Sequence, residues 1–112
     1  MIRGGAVVVN TRDVESALRF YIETLGMKLV EQRSDGSALL DAGEGFGIEL
    51  RKGQAPSSSV VLYPKVPIDE AIAIYENRGV TFSVERTEAT VVARFHDLDH
   101  NELALVQERS RP

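Results

Sequence analysis

The sequence predicts an α+β fold built from two tandem βαβββ modules, whose curved mixed sheets surround a cleft. Three observations predict it. Each half of the chain reads as a strand, a helix and then three short strands. The halves can also be laid on each other. "ALRFYIETLGMKLVEQR" (17–33) and "AIAIYENRGVTFSVER" (71–86) share an alanine, an apolar residue, a tyrosine, a helix-ending glycine and a later arginine, once one residue is skipped before the glycine. Finally, each half carries one helix with an apolar stripe, which must be buried on one face of its own half-sheet. The opposite sheet faces are then left to curve around a cleft, a default place for a ligand.

The elements follow in order. "GAVVVN" (5–10) is β-branched and apolar and reads as a buried strand. Asp13 stands at an N-cap, where its carboxylate can accept from the free amides of the first helical turn. Val14, Ala17, Leu18, Tyr21 and Leu25 then recur at helical spacing, and Gly26 closes the helix. "MKLVEQ", "SALLDAG" and "FGIELRKG" are strands separated by the turn signals "SDG" and "GEG". The first module therefore spans about 4–52, and the small, polar stretch of residues 53–58 is a linker. The second spans about 59–108: the strand "VVLYPKV", the helix "IDEAIAIYENRG", and the strands "VTFSVE", "TVVARFH" and "LALVQ".

Composition narrows the function. At 112 residues, 43% apolar and 27% charged, the chain is one ordinary globular domain. Its net charge is −4 with the signs mixed, and no run of Lys and Arg suggests a nucleic-acid or anionic-membrane partner. That acidic balance suits a cationic or neutral ligand. The absence of cysteine excludes disulfides and thiol nucleophiles and fits a reducing cytoplasm. "MIRGGAVVVN" holds an apolar run too short for a signal peptide or a membrane span. There is no Gly-rich phosphate loop and no nucleophile elbow.

"RFHDLDHNELALVQ" (94–107) gathers both histidines with three carboxylates and looks at first like a metal site. Alternation with Phe95 turns His96 outward as a solvated strand histidine. Asp97, Asp99 and Asn101 supply turn chemistry, and His100 or Asn101 takes the left-handed conformation of the turn.

"VVVNTRDVESALRFYIETLGMKL" resembles the opening of vicinal oxygen chelate proteins, the glyoxalase I, bleomycin-resistance and extradiol dioxygenase superfamily. "FHDLDHNELALVQ" resembles that family's closing hairpin, commonly F-x-D-P-D-G-N-x-x-E-L, with Leu98 and His100 in place of Pro and Gly. The resemblance implies metal ligands on the first, fourth, fifth and eighth strands. Here those positions fall at Ala6, at Glu49, near Ser59 or Val61, and at Ala104. Only Glu49 is a ligand, too few for a divalent ion that needs three or four, so no metal or other cofactor is expected.

The residues expected to line a ligand-binding cleft are Ala6, Asn10, Glu49, Arg51, Tyr63, Arg94 and Ala104. Glu49 orients a ligand, and is the catalytic base if the protein is an enzyme. Arg94, in an apolar run, needs Glu49, a ligand anion or water as its partner. The resemblance implies a homodimer that binds a small drug or metabolite without metal, in the manner of bleomycin-resistance proteins, and the cysteine-free chain is expected to be cytoplasmic. The alternatives are a glyoxalase-like lyase, isomerase or dioxygenase, and an interaction module whose cleft its own side chains fill.

Overall fold

The computed structural model describes residues 1, 2 and 4–109. Its architecture is α+β, with two four-stranded mixed sheets among the described residues. The chain divides into two compact units: Met1–Ser58 with Asp97–Asn101, and Ser59–His96 with the segment from Glu102 onward.

In the first unit, strands β1 (Gly5–Thr11), β2 (Lys28–Gln32), β3 (Ala38–Gly43) and β4 (Phe46–Lys52) form a sheet of order β1-β4-β3-β2. β1 runs parallel to β4, and the hairpin neighbours are antiparallel. Helix α1 (Val14–Arg19) continues as a π-helical turn, Phe20–Thr24, in which the Leu25 amide reaches back to the Phe20 carbonyl at 3.1 Å. Asp13 caps it, accepting from the Glu15 amide at 3.1 Å. Alternation sorts β1 and β3, while β4 also buries Gly47 and Glu49 on the opposite face. Val9, Thr11, Ala38, Leu40, Ile48 and Leu50 are buried on the helix side, where α1 contributes Ala17 and Leu18 and its π-helical continuation contributes Tyr21.

The second unit repeats the plan with β5 (Ser59–Leu62), α2 (Ile68–Asn77), β6 (Ser83–Arg86), β7 (Thr90–His96) and β8 (Glu102–Glu108), in sheet order β5-β8-β7-β6. α2 packs on β8. Its first amide, Ile68 N–H, donates to the Gln107 side-chain oxygen at 2.9 Å. Phe82 and Phe95 meet edge to face with ring centroids 5.1 Å apart.

Both helix-closing glycines take positive φ, 82° at Gly26 and 93° at Gly79, the left-handed conformation at which a side chain is strained. β5 is shorter than its apolar run suggested. It stops at Leu62, because Pro64 has no N–H with which to continue the ladder.

Candidate functional site

The free face of the first sheet is set by register. Ala6 lies beside Gly47, Val8 beside Glu49 and Asn10 beside Arg51, while Leu39 and Asp41 of β3 stand next to Glu49 and Gly47. An open depression of about 580 Å3 lies in this unit. Its lining includes Ala6, Val30, Arg33, Leu39, Phe46 and Glu49, together with Asp41 and several glycines. That volume is within the range of about 300–1,000 Å3 typical of small-molecule pockets. Gly47 keeps the floor flat: a Cβ there would stand 3.1 Å from the Ala6 Cβ and 3.1 Å from the Gly5 carbonyl oxygen.

Glu49 is the buried charge of this face, 7% exposed. Its Oε1 accepts from Arg33 and its Oε2 from Arg51, both in close ion pairs. Arg33 also approaches Glu31 through Nε at 3.4 Å. The Arg33 hydrogen bond is the main reason the Glu49 carboxyl lies below its ordinary value, with Arg51 adding to it against the opposing effect of burial. Glu49 is therefore held ionised, and a carboxylate so stabilised is a weak proton acceptor.

The other expected cleft residues are distributed as follows. Ala6 is exposed on the depression floor, and Arg51 is half exposed. Asn10 shares their face, but its side chain turns to the Gln54 carbonyl at 3.1 Å. Tyr63, Arg94 and Ala104 belong to the second unit. Tyr63 lies just past the end of β5 and is 77% exposed. Ala104 is buried and is the register partner of both Arg94 and Val61. The partner expected for Arg94 requires correction: neither Glu49 nor a ligand anion is needed. Glu85 at 3.3 Å and Glu102 at 3.5 Å flank it on its own sheet, where the strand register brings them within reach of a long side chain.

Sequence reading missed Arg33. The signal was there, as the "later arginine" shared by the two halves: its counterpart Arg86 likewise closes on a carboxylate, Asp69, at 2.6 Å. Which acid Arg33 meets is set by the β2–β3 turn, where its amide donates to the Ser37 carbonyl at 2.8 Å.

The histidine and carboxylate hairpin proves to be a buried tie. Asp97, Asp99 and Asn101 are all buried, whereas His96 and His100 are exposed. Asp97 accepts from the Tyr21 hydroxyl at 2.6 Å and from the Asp99 and Asn101 amides, each at 2.9 Å. Asp99 accepts from the Thr11 hydroxyl at 2.5 Å and from the Arg12 amide and Nε at 2.9 and 3.0 Å. Asn101 accepts from the Ser57 and Ser58 amides at 2.7 and 3.1 Å, and donates to the Asn10 carbonyl at 2.9 Å. His100 takes the left-handed conformation, φ 64°. Among the described residues no group of three or more His, Asp and Glu side chains is placed to hold a metal ion. Nor, among them, is any helix long and apolar enough to cross a membrane.

Comparison with known proteins extends this geometry. Residues 5–105 match the family model of the Glyoxalase/Bleomycin resistance protein/Dioxygenase superfamily. A search of curated proteins gave no match. Among solved structures, the chain is similar to a member of that superfamily from Sphaerobacter thermophilus DSM 20745, with 25% identity and a TM-score of 0.82 over 95% of this chain and 97% of the other. It is similar to TnmS3, an antibiotic binding protein from Streptomyces sp. CB03234, at 24% identity and TM-score 0.84 over 97% and 98% of the two chains. A glyoxalase/bleomycin resistance protein from the same Streptomyces strain matches at 25% identity and TM-score 0.76, over 93% and 99%.

Proposed function

Because the chain belongs to the glyoxalase/bleomycin resistance protein/dioxygenase superfamily, we propose that it binds a small drug or metabolite and needs no metal to do so. The observation that carries this reading is the depression of about 580 Å3 whose one deeply buried acid, Glu49, already has both oxygens on guanidinium groups. The positions at which the family resemblance implies ligands do not fit a divalent ion. Alanine at 6 and 104 offers no donor atom, Ser59 and Val61 offer at most one hydroxyl, and Glu49 is neutralised. The likeness to TnmS3, an antibiotic binding protein of the same fold, supports a drug-like ligand of the bleomycin-resistance type. A glyoxalase-like lyase, isomerase or dioxygenase would need Glu49 as a metal ligand or a base, and its ion pairs oppose both roles.

The reading includes a cytoplasmic homodimer. Apolar side chains left exposed, among them Val8, Leu29 and Val30 in the first unit and Val61 and Tyr63 in the second, support burial against a second copy. The absence of cysteine suits a reducing compartment.

A thermal-shift screen of antibiotics and metabolites, run on the native chain and on Ala6→Leu, tests the binding reading. Hits should raise the melting temperature of the native protein and lose their effect when leucine fills the floor. Stoichiometric zinc, nickel, manganese or iron in protein purified without chelators would overturn metal independence.

A further inference from the structure

The depression on the first sheet has a chemical polarity that narrows what it can hold. Its floor is bare. Gly5, Ala6 and Gly47 present backbone and one methyl group, and Gly47 is held too close to Ala6 and Gly5 for a side chain to be added freely. Val30, Leu39 and Phe46 supply apolar walls. A flat surface with apolar walls favours a ring, which gains contact over its whole face.

Arg33 brings hydrogen-bond donors to one end of the lining, and Arg51, just outside it, shares Glu49 with Arg33. Arg33 uses Nη1 on Glu49 and Nε on Glu31, which leaves Nη2. Arg51 uses Nε on Glu49, and its two terminal nitrogens have no partner among the described residues. Both Glu49 oxygens are engaged. The unspent capacity beside Glu49 is therefore N–H donors on two cations that share one buried carboxylate, while the nearby exposed Asp35, which feels both guanidinium charges, is engaged by the Ser37 amide and hydroxyl. Glu31 touches Arg33 from the solvent side and is more than half exposed, so water screens it. The other acid of the lining, Asp41, stands beside Gly47 and accepts from the Gly43 amide at 2.8 Å.

We infer that the depression takes a flat, ring-bearing carboxylate, with its ring on the Gly5–Ala6–Gly47 floor and its carboxylate on the Arg33 guanidinium, Arg51 adding positive charge behind it. The inference rests on the binding site proposed above and names its ligand class. It departs from what the net charge of −4 suggests, because contact recognition is decided by the donors and charges lining the site, and distant surface charge is screened by salt. A guanidinium offers its N–H groups in a planar fork that matches a carboxylate and would leave a cationic ligand facing like charge.

The test titrates the full chain with three probes of one shape: naphthoate, its neutral amide naphthamide, and the cation naphthylmethylammonium. Binding is followed by backbone-amide chemical shifts. Naphthoate should bind about tenfold more tightly than the amide, the size expected of a charge-assisted hydrogen bond, with the cation weakest. Arg33→Met should remove that preference while leaving amide binding in place, Arg33→Lys should keep part of it, and added salt should weaken naphthoate alone. Equal or tighter binding of the amide or the cation overturns the inference. So does a carboxylate preference that survives Arg33→Met, or failure of all three probes to bind at millimolar concentration. Ala6→Leu separates the two levels. If it abolishes binding of screening hits while the carboxylate preference is missing, the ligand class is wrong and the site stands. If hits bind Ala6→Leu as well as the native chain, the site itself is wrong.

Discussion

The Tyr21 hydroxyl donates a 2.6 Å hydrogen bond to the Asp97 carboxylate, joining residues 76 positions apart in the chain. Both are buried, and burial together with the carboxylate pushes the tyrosine hydroxyl far above its usual value, so it stays a donor throughout the accessible pH range. Tyr21→Phe keeps the ring and removes the donor, leaving the carboxylate with only its turn partners. A buried bond to a charged group is worth about 1.5–3 kcal/mol. Urea denaturation should show a loss of that size with no change in circular dichroism.

Asn101 is neutral among hydrogen bonds that run in both directions. Its amide nitrogen donates to Asp97 Oδ2 at 3.0 Å and to the Asn10 carbonyl, while its oxygen accepts from two serine amides. Asn101→Asp would retain the acceptor, abolish both donors and set a second carboxylate against Asp97. Truncating a buried network in this way is expected to cost about 3 kcal/mol or more. Asn101→Asp should melt well below Tyr21→Phe, and equal melting temperatures would contradict this account of the turn.

Acid should destabilise the fold through two carboxylates. Burial pushes Asp99 up, but the Thr11 hydroxyl and the Arg12 amide and guanidinium together outweigh it, leaving its pKa below the ordinary value. Glu49 is lowered by Arg33 and Arg51. A group whose folded pKa is depressed contributes stability above its unfolded value, and that contribution is lost as pH falls through the folded one. Stability measured by urea should thus be flat in these groups near neutrality and fall below about pH 4. Asp99→Asn and Glu49→Gln should each be less stable at neutral pH and show a shallower acid slope.

His100 sits at φ 64° where the related hairpins carry glycine. A non-glycine residue there is strained by about 1–2 kcal/mol, against which glycine loses about 0.5–1 kcal/mol through the greater freedom of its unfolded chain. The exposed imidazole makes no side-chain tie to weigh against the change among the bonds the turn displays. His100→Gly should leave stability unchanged or raise it by up to about 1 kcal/mol. His100→Val, β-branched, should lower it by about that much or more.

Much of the fold was legible because it is written in short-range pattern. Alternation in "FGIEL" marked the buried face of β4, and helical spacing marked Ala17, Leu18 and Tyr21 as the facing stripe. By contrast "GAVVVN", expected to be buried, turns only one face inward and buries Val9 alone among residues 5–10. Gly26 and Gly79 were readable as helix ends because few other residues tolerate the left-handed conformation they adopt. The candidate site was legible from the family resemblance, which implied Ala6 and Glu49, and from strand parity, which added Asn10 and Arg51. Ala6, Glu49 and Arg51 were placed on one face, but Arg33 was not, since its role depends on which strand the turn after β2 brings alongside. For Arg94 the sequence suggested Glu49, a ligand anion or water, while its own sheet supplies Glu85 and Glu102.

By itself, then, the sequence determined the order of elements and their buried faces, because each of these depends on residue type and spacing along one strand or helix, and its resemblance to the superfamily implied the missing donors at positions 6 and 104. Tertiary structure alone decided that Glu49 is clasped by Arg33 and Arg51, and that the polar hairpin is tied to Thr11, Tyr21 and Ser57. Those pairings join residues up to 88 positions apart. A carboxylate in a sequence can accept from any donor brought within about 3 Å of it, and only strand register and packing choose which one arrives.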